Sequence, residues 1–133
     1  MTNQIVIKEV APRDGLQAQP QHLTLEQRQR LIESLAVTGV PELEIGSFVS
    51  PKAVPQMAGT EVLAGQLPTV DLAYSVLVPN MKGYELALAA GMQTYAIAIS
   101  ATEEMNQNNI KKSLEETFLM AEDILERARG DGV

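Results

Sequence analysis

The sequence contains no cysteine, no tryptophan and a single histidine among its 133 residues. Without cysteine there is no disulfide, no thiolate nucleophile and no Cys-type zinc site. One histidine, His22, cannot supply a two-histidine metal site or a histidine relay, and it reads as a solvated loop residue. Positive charge is scarce as well: 10 Lys and Arg face 17 Asp and Glu, a net charge of −7. An acidic chain without a basic stripe suits neither nucleic acid nor an anionic membrane surface, so neither is expected as a partner. No run approaches the roughly 18 apolar residues of a membrane span. The opening segment lacks the basic and apolar regions of a signal peptide, so the expected location is cytoplasmic.

What is present is an alternation. Residues 5–10 (IVIKEV) are β-branched and apolar and stop at Ala11-Pro12, as a strand ended by a loop does. Thr24 followed by Gln27 has the form of a capping box, and Gly39 is a stop, which predicts a helix with an apolar face of Leu25, Leu31, Ile32 and Leu35. Strands are expected over 43–48, 70–78 and 94–100. Helices are expected after Thr60, over 82–90 with Gly91 as stop, and from the Ser113–Glu116 cap to a stop at Gly130. Residues 101–112 read as a loop.

Strand–helix alternation argues for parallel strands, since each parallel return needs a crossover. The strands are too apolar for one wet face, so both faces should be covered. Polar residues follow the strands: Arg13-Asp14, Ser47, Asn80 and Ser100. In parallel α/β folds such strand ends form the site. There is no Gly-x-Gly-x-x-Gly or Walker-type loop. A complete (β/α)8 barrel needs roughly 250 residues, so periodicity alone leaves the architecture open.

Three runs narrow it: VAPRDGLQ at 10–17, ELEIGSFVSPKAVPQMAG at 42–59 and VPNMKGYELALAAG at 78–91. In this order they resemble the amino-terminal half of the 3-hydroxy-3-methylglutaryl-CoA lyases, over essentially the whole chain. PRDG alone would suggest only the wider set of metal-dependent barrel lyases and aldolases. The resemblance implies an α/β fold of parallel β/α units, the amino-terminal four units of a (β/α)8 TIM barrel, with residues 1–133 forming one partial domain. It implies a divalent metal, Mg or Mn, and a CoA-thioester substrate cleaved to acetyl-CoA and acetoacetate, a step of leucine degradation.

By the same resemblance Asp14 is a metal ligand and Arg13 the arginine that neutralises an acetyl-CoA enolate. The chemistry agrees: hard divalent cations prefer oxygen ligands, and a guanidinium can hold developing negative charge. Glu44 matches a glutamate that points into the barrel and would orient Arg13 through an ion pair. Gln17, Ser47, Asn80 and Ser100 are candidate substrate contacts. Read from the residues alone, Arg13-Asp14 could be a surface turn pair, Glu44 an edge-strand charge, and Ser47, Asn80 and Ser100 ordinary turn formers.

Two departures stand out. After PRDGLQ the lyases commonly continue Asn-Glu, where this chain has Ala18-Gln19. Their His-x-His pair, asparagine ligand and mobile-loop cysteine have no counterpart in these 133 residues. The chain is therefore expected to be inactive alone, either as a fragment of the enzyme or as a non-catalytic half-barrel binding or assembly module. A lyase for a related 3-hydroxyacyl-CoA is the remaining alternative. A half-barrel leaves unpaired strand edges, which predicts self-association.

Overall fold

The computed structural model describes residues 4–133. Four strands, β1 (Lys8–Glu9), β2 (Glu42–Ser47), β3 (Ala73–Leu77) and β4 (Tyr95–Ala96), pair in parallel in the order β1-β2-β3-β4. The intervening helices are α1 (Leu25–Ala36), α2 (Thr60–Ala64) and α3 (Met81–Ala89), with α4 (Glu103–Ile110) and α5 (Leu114–Asp131) after β4. Each strand lies beside its predecessor and never reverses direction across the sheet. Right-handed crossovers that always step the same way put all helices on one face. This is the arc of a barrel, whereas a doubly wound sheet reverses at a switch point.

The local signals for the helices are met. Thr24 Oγ1 accepts the Gln27 N–H at 3.2 Å while the Gln27 side chain accepts the Thr24 N–H at 2.9 Å. Ser113 and Glu116 form the same reciprocal cap on α5. Leu43 and Ile45 of β2 and Val76 of β3 are fully buried with Ile32, Leu63, Tyr84 and Ile124 from the helices. Burying each such aliphatic side chain contributes about 1.5–3 kcal/mol. Because side chains alternate along a strand, Glu42 and Glu44 face the other way, onto the concave side.

Several elements differ from the sequence reading. The strand expected over 5–10 is reduced to Lys8–Glu9, and Ile5, Val6 and Ile7 are exposed. β4 is likewise shorter than 94–100. Both are outermost strands with one neighbour each, so half of their backbone groups find no ladder partner among the described residues. The loop expected over 101–112 contains α4, capped by Thr102, whose side chain accepts the Met105 N–H. Asn106, almost fully buried, donates to Lys112 O, Ser113 O and Thr117 Oγ1 and so fastens α4 to α5. Helix α5 runs through Gly130 and ends at Gly132, whose φ of 78° is the left-handed cap that glycine tolerates.

Helix α1 buries Arg28 rather than Leu25, which is partly exposed. Arg28 donates to Ala58 O at 2.7 Å and to Thr60 Oγ1 at 3.2 Å, pinning the segment between β2 and α2. Burial pushes its guanidinium below the usual arginine range. Gly46 makes room for this arrangement, since a Cβ there would meet Thr60 Oγ1 at 2.6 Å and Arg28 Nη2 at 3.2 Å. Among the described residues no helix is long and apolar enough to cross a membrane.

Candidate active site

The chain leaving β1 winds directly into a single π-helical turn, Ala11–Gly15. The N–H groups of Arg13, Asp14 and Gly15 converge on Val10 O at 3.1, 2.8 and 3.4 Å. Glu9 accepts the Ala11 N–H at 2.8 Å and fixes the start of the turn. Single π turns often occur at functional sites because they re-aim side chains that an α-turn would place elsewhere. Here the turn brings Arg13 over β2, within reach of Glu44. Asp14 remains exposed beside it.

Arg13 Nε donates to Glu44 Oε1, and Arg13 Nη1 donates to Asp14 Oδ1 at 3.0 Å. The Glu44 side chain is 4% exposed, and a carboxylate so far from water needs charged or hydrogen-bonding partners. Its second oxygen, Oε2, meets Lys8 Nζ at 3.1 Å, and Lys8 Nζ also meets Glu42 Oε1 at 2.7 Å. The four side chains form an unbroken chain, Glu42–Lys8–Glu44–Arg13, extended by Asp14. Burial alone would lower the Lys8 ammonium, but its hydrogen bonds to Glu42 and Glu44 and their negative charge outweigh it and raise the group above its ordinary value. The Lys8 hydrogen bond holds Glu42 below the usual carboxylate range.

The structure thus brings Arg13, Asp14 and Glu44 together. The other candidates are placed differently. Gln17 is half-buried just past the turn, and its Oε1 is buried without a hydrogen-bond partner. Ser47 is buried at the end of β2 and lines a cavity of 280 Å³ with Met57 and Leu86. Asn80 caps α3, its side chain accepting the Gly83 N–H at 2.9 Å, and lines a cavity of 220 Å³ beside Ser50 and Lys82. Ser100 is half-buried past β4. No hydrogen bond joins these four to Arg13, Asp14 or Glu44 among the described residues. His22 is exposed in its loop.

Three residues of this cluster went unread in the sequence: Lys8, Glu42 and Ser75. Lys8 is the single cation within the β-branched run 5–10, and Glu42 lies two residues before Glu44, the spacing that puts both on one face. Ser75 pairs in register with Glu44, and its buried hydroxyl lies near Glu42 without a well-formed hydrogen bond. A charge inside an apolar strand is itself the signal, because it demands a counter-charge nearby.

Asp14, an exposed carboxylate at a strand end, suits one ligand position of a hard divalent cation. The described residues assemble no group of three His, Cys, Asp or Glu donors. Asp14 therefore fits as one member of a ligand set that these residues do not complete.

Comparison with known proteins supplies the context. The family model described as HMGL-like matches residues 4–133. The chain is 40% identical over 130 residues to a 3-hydroxy-3-isohexenylglutaryl-CoA/hydroxy-methylglutaryl-CoA lyase of Pseudomonas aeruginosa, covering 97% of this chain and 43% of that protein. It is 41% identical over 140 residues to an (R)-citramalyl-CoA lyase of Chloroflexus aurantiacus, covering 97% of this chain and 44% of the relative. The crystal structure of the Bacillus subtilis HMG-CoA lyase superposes with a TM-score of 0.94 at 34% identity, over 98% of this chain and 44% of that one. The chain spans under half the length of each of these proteins.

Proposed function

We propose, because the chain belongs to the HMGL-like family, that it supplies the Arg13–Asp14–Glu44 part of the active site of a carbon–carbon lyase that cleaves 3-hydroxy-3-methylglutaryl-CoA to acetyl-CoA and acetoacetate. The observation that carries this reading is the buried Glu44 carboxylate gripping Arg13 Nε at the mouth of the sheet. With Nε and Nη1 engaged, the guanidinium is fixed in orientation, and no protein acceptor among the described residues occupies Nη2.

In the reaction, the tertiary hydroxyl loses its proton and becomes the ketone of acetoacetate as the adjacent C–C bond breaks. The bonding electron pair moves onto the thioester, giving the acetyl-CoA enolate, which a proton then quenches. Arg13 holds the negative oxygen of that enolate, and Glu44 keeps the guanidinium aimed. A donor fixed before charge develops costs no reorganisation at the transition state, and one such donor is worth about 10²–10³ in rate. The family is metal-dependent, and we assign the ion as Mg or Mn with Asp14 as one ligand. When bound, it would polarise the substrate's hydroxyl and carbonyl oxygens. Gln17, Ser47 and Ser100 are retained as proposed substrate contacts, and Asn80 as one that also caps α3.

The 41% identity to a citramalyl-CoA lyase favours one second reading, a related 3-hydroxyacyl-CoA as substrate with the same bond cleavage. The same proposal makes residues 1–133 one partial domain with a cytoplasmic setting, self-associating through its open sheet edges. Acetoacetate release from the CoA ester with added Mn tests it. The chain alone should give none, and the chain joined to the carboxyl-terminal remainder of a family member should give turnover. Turnover by the isolated chain, or none from the folded joined form, counts against the assignment.

A further inference from the structure

We propose that Lys8 is a positioning residue of this site, holding Glu44 so that Glu44 can hold Arg13. The inference rests on the lyase reading for its purpose and on geometry alone for its substance.

Glu42 and Glu44 stand on the same face of β2, two residues and so about 7 Å apart along the strand. Both point onto the concave side, where Glu44 is almost wholly removed from water. Two carboxylates in such a place repel, and a lone guanidinium offered to both has no reason to choose one. Lys8 resolves this. β1 pairs with β2 so that Lys8 lies opposite Glu42, and its flexible four-carbon stem lets the ammonium reach Glu42 Oε1 and Glu44 Oε2 together, at 2.7 and 3.1 Å. Glu42 is thereby satisfied without Arg13. Glu44 receives one cation on each oxygen, Lys8 on Oε2 and Arg13 on Oε1, which fixes its plane. Two anions and two cations leave the chain neutral around the buried Glu44, and Asp14 stands outside it with its own charge. An ammonium also serves here as a guanidinium would, since two separate acceptors have to be bridged rather than one gripped bidentately.

The test follows the Arg13 Nε–H itself by ¹⁵N NMR on the whole 133-residue chain, with Arg30 as internal reference. The Arg30 side chain is 73% exposed. In the native chain the Arg13 Nε proton should exchange with water about tenfold or more slowly than that of Arg30, as a charged hydrogen bond protects it. Lys8→Met should bring the two rates to within about threefold of each other while the backbone amide spectrum stays native, and Lys8→Arg should restore protection. Glu42→Gln leaves Lys8 to Glu44 alone and should keep Arg13 protected; if Lys8→Met does not fold, Lys8→Gln, which removes the charge and keeps a polar end, should show the same loss of protection. Protection that survives Lys8→Met in a folded chain, or that is lost in Glu42→Gln, overturns the assignment. Because the readout is proton exchange, it stands or falls independently of any turnover of CoA esters.

Discussion

Arg13 and Glu44 are 31 positions apart in the chain, yet the Nε of one donates to the Oε1 of the other across the end of the sheet. Two constraints place them there. The π-helical turn after β1 swings Arg13 inward, and the alternation of β2 turns Glu44 toward the same concave side.

Removing one end of this pair should be costly. Glu44→Ala strands Arg13 and Lys8 without their shared anion, and breaking a buried ion pair typically costs about 3–5 kcal/mol. Both cations keep some exposure, so a loss of about 2–4 kcal/mol in urea unfolding is expected. Glu42→Ala, at a more exposed carboxylate, should cost less.

Stability should vary with pH on both sides of neutrality. Burial, followed by the hydrogen bond to Asp131, pushes the Tyr84 hydroxyl up to about 12 from its ordinary value near 10. A folded value above the unfolded one adds stability that is complete below pH 10 and lost as pH rises through about 12. Lys8, also raised, works in the same direction above its ordinary 10.5. Glu42 is lowered, so its contribution is present above 4.5 and lost as pH falls through its folded value. Urea midpoints against pH should decline on both limbs, and Tyr84→Phe should remove part of the alkaline one.

Gly46→Ala tests the packing behind the site. The added methyl would lie 2.6 and 2.8 Å from the two γ atoms of Thr60. That short branched side chain is itself bonded to Met57 O and Arg28, so it has little freedom to retreat. Overpacking of this kind costs about 1–3 kcal/mol, measured as a shift in the urea midpoint at unchanged slope.

Sedimentation tests the open edges. β1 and β4 each lack an outer neighbour among the described residues, and Ile5, Val6 and Ile7 beside β1 are 88, 66 and 65% exposed. At micromolar concentration the chain should sediment as a dimer or larger species. A clean monomer would count against self-association.

Local chemistry made much of this legible in the sequence. The reciprocal caps at Thr24–Gln27 and Ser113–Glu116 need only residues three apart, and both form. A carboxylate between Leu43 and Ile45 must find a partner, and the resemblance to the lyases is what pointed it at Arg13. Helix α4 was hidden because its run EEMNQNNI offers almost no apolar stripe, and its anchor is the buried Asn106, a polar residue. The short outer strands depend on neighbours rather than on propensity. The role of Lys8 depends on strand register, which no local pattern carries.

Acetoacetate release from 3-hydroxy-3-methylglutaryl-CoA tests the central claim most directly, using this chain joined to the carboxyl-terminal remainder of the Pseudomonas aeruginosa relative with Mn added. The joined protein should turn over, and Arg13→Gln should lower kcat by about 10²–10³ with the fold intact, as loss of one fixed donor to a developing oxyanion does. Undiminished turnover in Arg13→Gln would contradict the account.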